Sequence, residues 1–212
     1  MVKGCSLSQN GSSSFPDPLL YRQLVGRLLY LTNTRLDISF VVQQLSQFMA
    51  SPMINHHKTL TRVLRYLRGN PGQCLYYPEN SPLHIKAFSD SDWATCPDTH
   101  KSISGYCTFL EDSLISWKSK KQTTISRSSS ETKYRALALA SCEIQWVTFI
   151  LEDFQLHYTQ PALLYYDNNS VRYIATNGVF HERTKHIKID CHVVRECLQK
   201  KLFHLLPIST HD

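Results

Sequence analysis

Between residues 18 and 70 the apolar positions recur with the period of a helix. Tyr21, Leu24, Val25, Leu28 and Leu29 follow the i, i+3, i+4, i+7, i+8 spacing of one buried helical face. Asp37 is placed to cap a second helix, with Ile38, Val41, Val42, Leu45, Phe48 and Met49 turned inward and Pro52 closing it. A third helix is expected from about Asn55 to Arg68 on Leu60, Val63, Leu64 and Leu67, ending at Gly69-Asn70-Pro71-Gly72. Beyond that turn the period shortens to two. Leu75–Tyr77, Leu83–Asp90, Ser104–Leu110 and Leu114–Ser119 read as strands, with Glu111-Asp112-Ser113 as a hairpin connection. The longest helical pattern follows, from about Ser129 to Phe154, and then a strand at Leu163–Asp167. Helices at Asn169–Thr176 and Lys185–Lys200 precede a last strand at Leu202–Leu206. This order predicts an α/β domain with a mixed sheet behind a small helical subdomain.

The expected organisation is therefore a disordered Ser/Gly/Asn-rich segment over 1–17, a helical subdomain over 18–72 and an α/β domain over 73–212. Composition excludes some classes: 42% hydrophobic and 19% charged residues rule out wholesale disorder. No apolar run is long enough to span a bilayer, and the N-terminus lacks a secretory h-region. The expected location is intracellular, cytoplasmic or nuclear, and not secreted. The seven cysteines form no C-x-x-C pair and read as reduced thiols; Cys191-His192 lacks a second metal-binding pair. Charge is uneven. Residues 1–80 hold eight Lys/Arg against three Asp/Glu, whereas 81–212 hold fifteen against fourteen, so the basic excess sits in the first part. A basic surface points to a polyanionic partner.

Candidate chemistry lies in the acids of the second part. Asp90 and Asp92 are two apart at a strand end, which places both carboxylates on one face of the strand. Glu131 opens the long helix, Asp167 ends a short apolar strand, and Asp190 follows His186-Ile187-Lys188-Ile189. Functional groups in α/β sheets gather at the carboxyl ends of neighbouring strands. Several carboxylates together suit Mg²⁺ or Mn²⁺, and two such ions can drive phosphodiester hydrolysis. Each acid also has a structural explanation. Ser128-x-x-Glu131 fits a capping box, Asp167-Asn168-Asn169 a turn, and Asp90 and Asp92 a solvated strand end. Spacing alone leaves both readings open.

Particular strings add to this. YRQLVGRLLYL (21–31), FSDSDWA (88–94), SGYC (104–107), ISWKSKKQ (115–122), SRSSSE (126–131), YDN (166–168) and RTKHI (183–187) resemble the Pol polyprotein of copia-type LTR retrotransposons. The resemblance runs in order from about residue 18 to 206. It covers the region after the polymerase site, a helical connection and then the ribonuclease H domain. It implies a five-stranded ribonuclease H-like sheet with flanking helices and cleavage of the RNA strand of RNA·DNA hybrids with two Mg²⁺ (or Mn²⁺) ions. The polymerase portion of a Pol polyprotein is the implied partner, and no polymerase aspartate motif is present.

The family's acids would fall on Asp90, Glu131, Asp167 and Asp190, as catalytic residues and metal ligands, with Asp92 as runner-up to Asp90. His186 or His192 would assist product release. Substrate contacts are expected at Lys58, Arg62 and Arg65 on the third helix, at Lys118 and Lys120, and at Arg183, Lys185 and His186. The alternative reading is an inactive nucleic-acid-binding remnant. The chain departs from the family pattern in three places. Asn177-Gly178 replaces Asn-Pro, Ser130-Glu131-Thr132-Lys133 replaces a more acidic, alanine-rich stretch, and Lys188 stands where an acid is common.

Overall fold

The computed structural model describes residues 7–9, 11–156, 160–167 and 187–208. It divides into two units, residues 1–75 with 96–100, and residues 76–95 with 101–212. Periodicity alone places the boundary at residue 72, with 96–100 in the α/β domain.

The first unit is built on α1 (Pro18–Leu31), α2 (Leu36–Ser46) and α3 (Ile54–Gly69). Asp17 caps α1 by accepting a 2.9 Å bond from Leu20 N, and Pro18 occupies the first turn, where its missing N–H costs nothing. Tyr21, Val25, Leu28, Ile38, Val42, Leu45, Leu60 and Val63 close the core between the three helices. Asp37 is not the cap of α2. It lies inside the first turn, and its carboxylate takes bonds from Arg35 Nε at 2.9 Å and Arg35 Nη2 at 2.8 Å. The segment expected to be disordered is ordered between Gly11 and Asp17. Phe15 N donates to Pro52 O at 2.9 Å, Ile54 N to Ser13 O at 3.0 Å, and the Phe15 ring stacks on His57. Its low local propensity is overridden by these long-range bonds.

Arg35 is only 6% exposed, and its Nη1 also donates to Asn70 O at 3.0 Å, tying the start of α2 to the end of α3. The Arg35 guanidinium holds the Asp37 carboxyl below the usual carboxylate range. A depressed carboxyl adds stability while ionised and loses it as pH falls through its folded value. Arg35→Ala is therefore expected to cost about 2 kcal/mol at pH 7, in urea unfolding, with the difference from wild type narrowing below about pH 4.

The second unit is a five-stranded sheet of order β3-β2-β1-β4-β5, formed by β1 (Ile85–Asp92), β2 (Ile103–Leu110), β3 (Ser113–Lys121), β4 (Ala162–Tyr166) and β5 (Phe203–Pro207). β1, β2 and β3 are antiparallel, while β4 pairs parallel with β1 and β5 parallel with β4. Two helices, α4 (Ser129–Asp153) and α5 (Lys188–Gln199), pack on one face. Leu75–Tyr77, expected as a strand, is not one. Tyr76 and Tyr77 are exposed and the segment joins no ladder among the described residues. The expected helix at 169–176 lies outside the described residues. None of the six described cysteines forms a disulfide.

Burial alternates along β1. Ile85, Ala87, Ser89 and Ser91 are buried on the α4 face, and Lys86, Phe88, Asp90 and Asp92 lie on the other. Phe88 stacks on Tyr165 with ring centres 4.8 Å apart, which locks β1 to β4 on that second face. The α4 face carries the core: Ile85, Ala87, Leu137, Ala140, Ile144, Leu164, Val194 and Phe203, with no solvent exposure at most of them.

Candidate active site

The parallel register sets Lys86 opposite Leu163, Ala87 opposite Leu164 and Phe88 opposite Tyr165. Carried two residues further, the same offset brings Asp90, near the end of β1, opposite Asp167, the residue after β4. Neighbouring strands lie about 4.8 Å apart, so two carboxylates there repel unless a cation stands between them.

That cation is Lys133. Its Nζ donates to Asp167 Oδ2 and lies 3.7 Å from Asp90 Oδ1. Lys133 and Asp167 are about a fifth exposed at 22% and 21%, whereas the Asp90 side chain is 69% exposed. Asp90 Oδ1 also accepts from Ser91 N at 2.7 Å.

The first turn of α4 explains why Lys133, and not Glu131, reaches the pair. Ser128 caps the helix by accepting from Glu131 N at 3.2 Å. Thr132 is fully buried, with its hydroxyl bonded to Ser102 Oγ at 3.1 Å and its carbonyl accepting from Gln122 Nε2 at 3.1 Å. Successive residues on a helix are rotated by about 100°, so a buried Thr132 throws its two neighbours to opposite flanks. Lys133 falls on the flank of β1 and β4. Glu131 falls on the other, accepting from Arg127 N at 2.8 Å and from Arg135 Nη2 at 2.7 Å.

Asp190, in the first turn of α5, belongs to Glu131's side. Burial pushes its carboxyl above the usual range, the Arg135 charge draws it back, and the Glu131 charge raises it again. The structure thus brings together Asp90 with Asp167, across Lys133, and places Glu131 and Asp190 around Arg135. It does not gather the four. Among the described residues, no three His, Cys, Asp or Glu side chains are placed to hold a metal ion. Two hard divalent ions require several oxygens each, and a centre of two carboxylates filled by an ammonium does not fit them. Asp92 is exposed on the Asp90 face of β1, and His192 projects into solvent 3.7 Å from Glu196.

Beside this region lies a cleft of about 440 Å³ between the end of β3, α4 and the start of α5. Lys120, Lys121, Arg135 and Lys188 line it, against one acid, Asp190. Of the sequence candidates for substrate contact, Lys120 is in the cleft and Lys118 is exposed further back on β3. Lys58, Arg62 and Arg65 are exposed on α3 of the first unit. Arg183, Lys185 and His186 lie outside the described residues.

Sequence reasoning passed over Lys133 as a ligand-site residue because it looked for acids. The signal was the helical phase. Lys133 stands one turn before Leu137 on the stripe that continues through Ala140 and Ile144, all buried.

A three-stranded antiparallel meander extended by two parallel strands, with acids at the ends of β1 and β4, defines a ribonuclease H-like domain. No family model matches the chain. It is 41% identical over all 212 residues to the "Retrovirus-related Pol polyprotein from transposon RE1" of Arabidopsis thaliana. It is also 34% identical over 193 residues, 91% of this chain, to the Pol polyprotein from transposon TNT 1-94 of Nicotiana tabacum. The chain belongs to the Pol polyproteins of copia-type retrotransposons. It spans about 14% of the length of each of these two relatives. Among solved structures it is similar to LC11 RNase H1 isolated from compost, with a TM-score of 0.46 and 14% identity over 61% of this chain and 86% of that one. No helix among the described residues is long and apolar enough to cross a membrane.

Proposed function

We propose that the chain is a retrotransposon ribonuclease H-type domain that binds RNA·DNA hybrid without cleaving it. The observation that carries this reading is Lys133, whose ammonium fills the space between Asp90 and Asp167. Binding draws on the cationic cleft of Lys120, Lys121, Arg135 and Lys188, whose charge and size suit a phosphate backbone. The family context supports a polymerase portion of the same polyprotein as its partner.

A second reading, Mg²⁺- or Mn²⁺-dependent cleavage of the RNA strand, is favoured by the register of Asp90 and Asp167. It requires further carboxylates at that point, and Glu131 and Asp190 stand on the other flank of α4. The two readings separate in one assay. Purified protein is mixed with end-labelled RNA·DNA hybrid in Mg²⁺, in Mn²⁺ and in EDTA, and followed by gel retardation and by denaturing gel. Retarded but intact RNA is expected in all three. RNA fragments that appear with metal, vanish with EDTA and are lost in Asp90→Asn would overturn the binding reading in favour of the enzyme.

A further inference from the structure

Lys133 occupies an unfavourable place for a lysine. It sits in the second turn of α4, on the flank that faces Asp90 and Asp167, where covering the ammonium removes it from water. Its side chain is about four-fifths covered. An ammonium covered to that extent persists only where carboxylates hold it, and Asp167 and Asp90 are those carboxylates. The dependence is mutual. Without the ammonium, two acids at adjacent parallel strand ends face each other with no other cation bonded to either among the described residues.

The rotation that delivers Lys133 is fixed from both sides. Thr132 is pinned to Ser102 and Gln122, and Leu137, one turn on, is fully buried in the core. Residue 133 is therefore aimed at the strand ends whatever its side chain. A glutamate there would be one bond shorter than lysine, so its oxygens would stop about an ångström before the ammonium position. An ion with metal–oxygen bonds of about 2.1 Å fits that gap, touching Asp90 and Asp167 on the far side.

We infer that Lys133 is the site's resident cation, an ammonium tethered in place of a divalent ion, and that this one side chain closes a divalent-cation site between β1 and β4. The inference rests on the reading of this centre as non-catalytic. It adds that the rest of the site is intact, and that charge at position 133 alone decides whether a metal enters. Wild-type protein then takes no Mn²⁺ at the strand ends, Lys133→Gln admits it weakly, and Lys133→Glu takes it with the third carboxylate.

The test is direct Mn²⁺ binding, read from the electron paramagnetic resonance signal of free Mn²⁺, on the full chain. Wild type, K133Q, K133E, and K133E combined with D90N and D167N are compared, with circular dichroism reporting the fold. The expected result is no specific binding by wild type up to millimolar Mn²⁺. K133E should bind at least tenfold more tightly than K133Q, and the combined variant should lose that binding. If K133E folds only with Mn²⁺ present, that too supports the inference. Two results overturn it: wild type binding Mn²⁺ as tightly as K133E, or folded K133E and K133Q binding no more than wild type. Hybrid cleavage by wild type would sink the non-catalytic reading, whereas a K133E variant that is folded and metal-free sinks this inference and leaves that reading standing.

Discussion

Leu137→Ala is expected to lower the melting midpoint of the ribonuclease H-like unit by about 10 °C, following a loss of about 3 kcal/mol. Leu137 has no exposed surface and packs among Ile85, Ala87, Leu164 and Val194, so truncation removes buried methyl groups and leaves a cavity. For a unit of this size each kilocalorie moves the midpoint by roughly 3–5 °C. Leu139→Ala, two residues along the same helix, is the control. Its side chain is exposed at 39%, and the change should cost under about 1 kcal/mol. Thermal melts of the two variants beside wild type decide the matter. A shift below about 3 °C for Leu137→Ala would mean that α4 is not seated as described. The consequence reaches the site, because Leu137 holds the helical phase that aims Lys133 at Asp90 and Asp167.

That phase marks the line between what local pattern reveals and what it does not. The helical faces of α1 and α3 were legible because burial there follows a 3.6-residue period. Tyr21, Val25 and Leu28 are inside, as are Leu60 and Val63. The alternation of β1 was equally plain, and with it the shared face of Asp90 and Asp92. What failed were the features that depend on distant partners. Asp37 has the chemistry of a cap, yet Arg35, held to Asn70 at 35 residues' separation, claims its carboxylate. Leu75–Tyr77 has strand-forming side chains and, among the described residues, no strand that it pairs with. Gly11–Asp17 looks disordered by composition, but the bonds of Ser13 and Phe15 to Ile54 and Pro52 order it. In the site, Asp90 and Asp167 were found because each ends its own strand. Glu131 and Lys133 are both in the opening of one helix, and only the burial of Thr132 tells which of them faces the strands.

Charge in the cleft should be visible in the salt dependence of hybrid binding. Each phosphate contact releases condensed counter-ion, so the logarithm of affinity falls against the logarithm of salt with a slope of about 0.7–0.9 per contact. At 0.1 M salt that amounts to roughly an eightfold gain per contact at the upper figure. Lys120 and Lys188 are exposed and line the cleft from β3 and α5. The double variant Lys120→Gln, Lys188→Gln should weaken hybrid binding by about fifty-fold at 0.1 M salt and flatten the slope by nearly two. Lys200→Gln is the matched control. Lys200 is exposed and pairs with Glu196 at 2.7 Å outside the cleft, so removing its charge should leave the slope unchanged. The α3 stripe offers the competing prediction, because Lys58, Arg62 and Arg65 are also exposed cations on one helix. Fluorescence anisotropy titrations at several salt concentrations separate the two. If the slope survives the cleft variant and falls when Lys58, Arg62 and Arg65 are neutralised, the hybrid is held by the helical unit and the cleft is not its seat.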